Sequence, residues 1–522
     1  MPGENRARRS AAGWLSGAVL GGRVAQPRAP RPVPLPAPGP AAPPDGAEPA
    51  ADTAALGAAP ADPQRRLPYG MAKLLVQPAR DRDGNRAYLL TGAAGDGTRL
   101  PDAPAQLPPT GIALSRLRRD GGTDDAGPGF PSEFYRAVVS WSRRQRPLVG
   151  WLSDLRARHG EELHVVVWDD TDFEIPWELL TLTPPDDTCD VPEPVRHQAP
   201  GEDPPWEGDR DPGRARRWDP GEGLHRGPHR NGDRDPEQGR HGDPGPDPGR
   251  HRGPDPDPTP GQDSTGPAYG PLGALVAVAR WTSTCEEAAP LLDGPARCSG
   301  GVLGYFDEEM RSDTAGFADF AHEPHEDPDA FLAALTRGAR ADRPLGLVYM
   351  GCHGTHGKGL EHLKAGVLTW YELDEHRMHA LSARATAVVL NVCHSGRMVR
   401  NHVGGEDALR GFTEMFLRHG ATACIATHGE VGDTVARTLL TYLVDHTRRT
   451  PERPLALMLR DFRARAAAAL PRPLPRTRAR DHSIDYEGQR RVLSVLYQFM
   501  YVYYGHPRTT LRLAPRAPDT AA

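Results

Sequence analysis

Lysine is almost missing from this chain. Three lysines stand among 63 basic residues, so the other 60 are arginine, as expected of a GC-rich and actinobacterial-type genome. Acidic residues number 69 and the net charge is -6, with no basic stripe in the apolar-patterned parts, so nucleic acid is not the expected partner. Cysteine is scarce too: six in 522 residues cannot make a disulfide framework. No apolar run reaches the roughly 18 residues a membrane-spanning helix needs. Arg6, Arg8 and Arg9 followed by AAGWLSGAVLGG have the outline of a signal peptide, but the apolar part is short and Gly-interrupted, so export is not expected. A reducing cytoplasm is then the default location, one that keeps thiols free.

Two long stretches lack any periodic apolar pattern. Residues 1–66 are rich in Ala, Pro and Arg, and residues 184–267 consist mostly of Asp, Pro, Gly, Arg and His, with runs such as HGDPGPDPGRHRGPDPDPTPG. Neither can bury enough surface to offset chain entropy, so a disordered arm and a disordered insertion are expected. A frayed tail is expected from residue 508.

Between these stretches the apolar pattern is that of alternating strands and helices. MAKLLVQPA and AYLLTG read as strands around the turn Asp83-Gly84-Asn85, and residues 133–159 have helical spacing interrupted at Pro147. ELHVVVWDD, GALVAVARW (273–281), VLGYF (302–306), LGLVYM (345–350), AVVLNV (387–392) and ATACIAT (421–427) read as buried strands. Helices are expected near 329–339 and over 406–419, 433–446 and 455–470, with a hairpin or short loop at 367–373. The expected fold class is α/β, a mostly parallel sheet flanked by helices.

Two of those strands end in chemistry. LGLVYM runs into Gly351-Cys352-His353-Gly354, and AVVLNV into Cys393-His394-Ser395-Gly396. In open α/β sheets, ligands and reacting groups gather at the carboxyl ends of strands. A thiol near its free pKa of about 8.5 is mostly protonated at neutral pH, so a nucleophilic cysteine needs a base or a cationic setting. His353 is the candidate base and Cys393 the candidate nucleophile. The backbone N–H groups of Gly354 and Cys393 are candidates for an oxyanion hole, and Ser395 and Gly396 would turn the chain sharply after the nucleophile. Zinc is the competing reading of Cys352-His353 and Cys393-His394. Neighbours on a strand point to opposite faces, so both members of a pair would rarely reach one metal. No metal or cofactor is expected. His356 and His394 rank below His353, and His428, at another strand end, is a candidate to line the crevice.

Taken together, Ile175-Pro176-Trp177-Glu178-Leu179-Leu180, LVYMGCHG, VVLNVCHSG and GFTEMFLRHGATACIAT resemble, in order, the motifs of the CHAT domain, a peptidase family in the caspase, metacaspase and separase clan. The resemblance spans residues 69–507 once 184–267 is set aside, which makes that stretch an insertion between residues 67–183 and 268–507 of one domain. It implies a caspase-hemoglobinase fold and a cysteine endopeptidase with His353 as base, Cys393 as nucleophile and the amides of Gly354 and Cys393 as oxyanion hole. The implied partner is a protein substrate, in a bacterial defence or programmed-death pathway. No 34-residue repeat of the kind fused to family members appears, so an activating partner in trans, or the N-terminal arm, would supply the trigger. Metacaspases carry an aspartate two residues before the cysteine that helps read a basic P1 side chain; here that position is Asn391. Asp307 and Glu308 are then the candidates for an acidic pocket wall. The second functional reading is a non-catalytic interaction scaffold on the same fold.

Overall fold

The computed structural model describes residues 67–117, 130–182, 269–288, 291, 294–337, 344–401, 408–476 and 484–517. The expected N-terminal arm and the insertion at 184–267 lie outside the described residues.

Short apolar runs become strands because both faces of each run are covered. Eleven strands form one sheet: β1 (Met71–Arg80), β2 (Arg86–Ala94), β3 (His164–Asp169), β4 (Ala277–Trp281), β5 (Arg297–Phe306), β6 (His322–His325), β7 (Leu345–Cys352), β8 (Ala387–Val392), β9 (Ala423–Thr427), β10 (Tyr501–Gly505) and β11 (Thr510–Leu513). The order is β11-β5-β7-β8-β9-β10-β4-β3-β1-β2, with β6 added beside β5. Every residue of β3, β8, β9 and β10 is buried, as a sheet covered on both faces requires. Each fully buried Val or Leu there contributes about 1.5–3 kcal/mol.

Strand direction decides where a site can form. β5, β7, β8 and β9 run parallel to one another, and so do β10, β4, β3 and β1, but β9 and β10 are antiparallel. The sheet is thus two parallel blocks joined head to tail at the β9–β10 seam. The carboxyl ends of β7, β8 and β9 consequently share one edge.

The helices cover both faces. Pro147 does not interrupt a helix but starts one: Pro131–Arg144 and Arg146–His159 are separate helices joined at Gln145, each with proline in its first turn. The stretch read as one strand from Gly273 divides into a helical turn, Leu272–Leu275, and β4. The helix expected over 406–419 spans only Phe412–Arg418, and Ala408–Arg410 pairs instead with Val399–Asn401 as a two-stranded ribbon. The start of the expected helix, residues 406 and 407, lies outside the described residues. The hairpin expected at 367–373 is the two-residue strand Leu368–Thr369, paired with Lys364–Ala365 and followed by the helix Trp370–Glu375. Nor is the chain frayed from residue 508. Thr510–Leu513 pairs in parallel with Arg297–Gly300 as β11, because Leu511 and Leu513 alternate into the core.

The chain on either side of residues 183–268 is closely joined. Thr181 and Leu182 pair with Pro271 and Gly270, and β3 and β4 lie side by side over five register partners. Among the described residues no helix is long and apolar enough to cross a membrane.

Candidate active site

Register brings the two chemical strand ends together. In the parallel β7–β8 pair, Gly351 faces Asn391 and Cys352 faces Val392, so His353 and Cys393 are each the next residue along two strands about 4.8 Å apart. Both line one open cleft of ≈ 180 Å³, together with Gly354, Asn391 and Thr427. Cys393 is partly exposed, whereas Cys285, Cys298, Cys352 and Cys424 are buried. Burial pushes the Cys352 and Cys424 thiols well above their ordinary pKa, which leaves them inert.

Gly354 is glycine for want of room. A Cβ at that position would lie 2.0 Å from the Cys393 carbonyl oxygen and 2.7 Å from Val392 Cγ1. The backbone after His353 therefore packs directly against the carbonyl of Cys393.

The chain turns immediately after Cys393, though not where glycine would suggest. His394 has φ 62°, and among the described residues it is the only non-glycine in the left-handed region. Several hydrogen bonds hold it there. His394 N–H donates to the Gly429 carbonyl (3.1 Å), Ser395 N–H to the Val392 carbonyl (3.2 Å), and Gly396 N–H to the Thr427 carbonyl (2.7 Å). Ser395 Oγ accepts from Thr427 N–H at 3.1 Å, and Thr427 Oγ1 donates to the Val392 carbonyl at 2.6 Å. Gly396 serves close packing instead: its Cβ would meet Val502 Cγ2 at 2.8 Å and His428 Cδ2 at 3.0 Å.

Carboxylates after β5 hold His353, whereas the acidic pocket wall expected of Asp307 and Glu308 is not formed by them. Asp307 Oδ2 accepts the His353 backbone N–H at 2.9 Å, and Asp307 Oδ1 accepts Met310 N–H at 3.0 Å, so this side chain braces the turn after β5. Glu308 is exposed, and neither Asp307 nor Glu308 lines the cleft. Glu309 was not singled out by sequence reasoning; its Oε2 lies 2.7 Å from His353 Nε2. This hydrogen bond raises the His353 pKa above the ordinary value, against a lowering from partial burial, and Asp307, Glu309 and Asp433 add charge in the same direction as the bond. Three acids in a row after β5 were visible in the sequence, but nothing there shows which of them turns back to the imidazole.

Asn391 does line the cleft, with its amide fixed at the floor. Its Nδ2 donates to Tyr349 Oη at 2.9 Å, and its Oδ1 accepts from Tyr501 Oη at 2.6 Å. Tyr349 Oη donates in turn to Asp313 Oδ2 at 3.2 Å.

His428 does not reach this cleft. It is buried behind the turn that follows Cys393, where it lines a second hollow with Asp169, Glu174, Arg280 and Arg397. His356 and His394 also lie on that side, ring centroids 6.1 Å apart. Burial, with Arg397 adding to it, pushes His356 down to about 3 and His394 to about 4; burial also takes His428 well below the ordinary value. Among the described residues no three His, Cys, Asp or Glu side chains converge as metal ligands would.

No curated protein matches the chain in sequence. Among solved structures it is similar to a chain of the Saccharomyces cerevisiae separase–securin complex, at 13% identity and TM-score 0.28 over 46% of this chain and 14% of that one. It is also similar to the Arg-specific cysteine proteinase gingipain R, at 10% identity and TM-score 0.29 over 46% of this chain and 56% of that one. A third structure, described only as a protease, gives 11% identity and TM-score 0.29 over 47% and 57%. The chain thus spans less than two thirds of the length of each. Residues 308–477, the stretch that holds His353, Gly354, Asn391 and Cys393, match the family model of the CHAT domain.

Proposed function

We propose that the protein is a cysteine endopeptidase that cleaves a protein partner. The observation that carries the reading is the β7–β8 register, which sets His353 and Cys393 side by side in one cleft with Gly354 against the Cys393 peptide. Cys393 Sγ attacks the scissile carbonyl carbon while its proton passes to His353, and the carbonyl oxygen gains the negative charge. The amides of Gly354 and Cys393 stabilise that oxyanion. As the tetrahedral intermediate collapses, the C–N bond breaks and His353 returns the proton to the departing amine. Water then attacks the thioester, gives a proton to His353, and releases the acid and the thiol. The cleavage serves a bacterial defence or programmed-death pathway, with an activating partner supplied in trans.

A peptidyl electrophile tests this directly. Mass spectrometry of the full chain should find Cys393 alkylated, with loss of labelling in His353→Ala and loss of substrate cleavage in both Cys393→Ala and His353→Ala. Cleavage that persists in Cys393→Ala would end the reading.

A further inference from the structure

The floor of the cleft holds a neutral amide where a carboxylate would read a basic side chain, yet the cleft is not neutral. Its ionisable lining, apart from the catalytic pair and the buried Cys352, is Glu430 and Asp433, and no Lys or Arg lines it. Glu430 comes from the turn after β9 and Asp433 from the start of the helix Asp433–Arg449, opposite the β7 end that carries His353. Met310, Val431 and Ala436 line the same cleft and supply apolar contact for an aliphatic stem. Arg437, one turn along the helix, is directed to Asp313 Oδ1 at 3.7 Å and does not line the cleft.

The orientation of the Asn391 amide is set by its two tyrosine partners. Because Tyr349 gives its only proton to Asp313, its oxygen must accept from Asn391 Nδ2, and this fixes Asn391 Oδ1 as the acceptor side. That oxygen takes one hydrogen bond, from Tyr501, and a carbonyl oxygen has a second lone pair. A long side chain with a cationic tip would lay its methylenes along Met310 and Val431 and present its N–H groups to the Glu430 and Asp433 carboxylates. An acidic side chain would meet two like charges.

We infer that Glu430 and Asp433 form the specificity wall of this cleft and that the residue preceding the scissile bond is arginine or lysine. The inference rests on the endopeptidase reading above and takes the acidic role away from Asp307, Glu308 and position 391. Asp433 has a second reason to be acidic, since a carboxylate in the first turn of a helix is favoured by the helix dipole. Glu430 lies outside the helix.

The test is a panel of peptidyl acyloxymethyl ketones with arginine, lysine, norleucine or aspartate at P1, offered to the full chain, with the rate of Cys393 alkylation read by mass spectrometry. Arginine and lysine probes should react roughly tenfold or more faster than norleucine, and aspartate slowest. Glu430→Gln should narrow the arginine-to-norleucine ratio, and Glu430→Gln with Asp433→Asn should bring it close to one. Glu430→Gln alone keeps the result independent of any effect on the helix start. Equal rates for arginine and norleucine in the wild type, or a ratio unchanged in the double variant, would overturn the wall. No alkylation of Cys393 by any probe would overturn the endopeptidase reading itself, and the wall with it.

Discussion

His353 Nε2 lies 2.7 Å from Glu309 Oε2, so the imidazole is oriented by a carboxylate that follows β5 while its backbone follows β7. The bond places a proton on Nε2 and leaves Nδ1 as the nitrogen able to take one from the thiol. Glu309 also holds the imidazole pKa above its ordinary value. A base works once it is unprotonated, so cysteine reactivity should rise with pH through the raised His353 pKa. In Glu309→Gln that pKa falls, and the acid limb of the alkylation rate should shift to lower pH. The plateau rate should drop by about tenfold as orientation is lost. An acid limb that stays in place in the variant would show that Glu309 is a surface ion pair only.

Gly354→Ala asks for space that the structure does not have. Its Cβ would meet a backbone oxygen at 2.0 Å, and no side-chain rotation can relieve that. The β7 end and the Cys393 turn must then separate, which moves the Gly354 and Cys393 amides proposed as oxyanion donors. Loss of one such donor costs about 10²–10³ in turnover. We expect that loss in kcat, with the variant still folded by circular dichroism. Wild-type kcat in Gly354→Ala would remove Gly354 from the oxyanion hole.

The strands and their ends were legible because buried parallel strands are apolar throughout and break at glycine, as LGLVYMGCHG and AVVLNVCHSG do. What escaped the sequence was direction taken by side chains in turns. Asp307, Glu308 and Glu309 are equally acidic and adjacent, but one accepts a backbone N–H, one is exposed and one reaches the imidazole. His428 stands at a strand end as His353 does, yet the antiparallel seam with β10 buries it behind the turn, where its backbone N–H donates to the Met500 carbonyl at 2.9 Å. Thr510–Leu513 alternates as a strand does, but at four residues it is too short to announce one without its partner β5.

Three histidines in and behind the turn after Cys393 should make stability fall in mild acid. His356, His394 and His428 all have folded-state pKa values below the unfolded value of about 6.5. Above that pH neither state carries the extra protons; as pH falls through 6.5 toward about 4 and about 3, the unfolded chain binds them first and folding is penalised. Asp169, pushed up to about 6 by burial, acts in the opposite sense and offsets part of the loss. The urea midpoint should fall between pH 7 and 5, and His394→Asn, which also tolerates φ 62°, should flatten that slope. His394→Val removes the same titrating group but should cost about 1–3 kcal/mol for backbone strain. A flat pH profile in the wild type would contradict the buried neutral state of this cluster.

Glu178, in the PWELL segment, should be worth more to stability than the arginine it pairs with. Arg280 donates to it through Nε at 2.8 Å and Nη2 at 2.5 Å, and Glu178 is fully buried. A second buried cation, Arg463, is close by: a Cβ on Gly273 would touch Glu178 Cβ at 2.9 Å and Arg463 Nη1 at 3.1 Å. Burial opposes the Glu178 charge, but Arg280 and then Arg463 outweigh it and hold the carboxyl below its ordinary range. Removing one partner of a buried pair costs about 3–5 kcal/mol because the other charge is left uncompensated. Glu178→Gln strands two guanidinium groups, whereas Arg280→Met leaves Glu178 still facing Arg463. Urea unfolding should therefore show the larger loss for Glu178→Gln, while Cys393 alkylation of the remaining folded protein keeps its wild-type rate. An equal or larger loss in Arg280→Met would mean that Arg463 takes no share of the Glu178 charge.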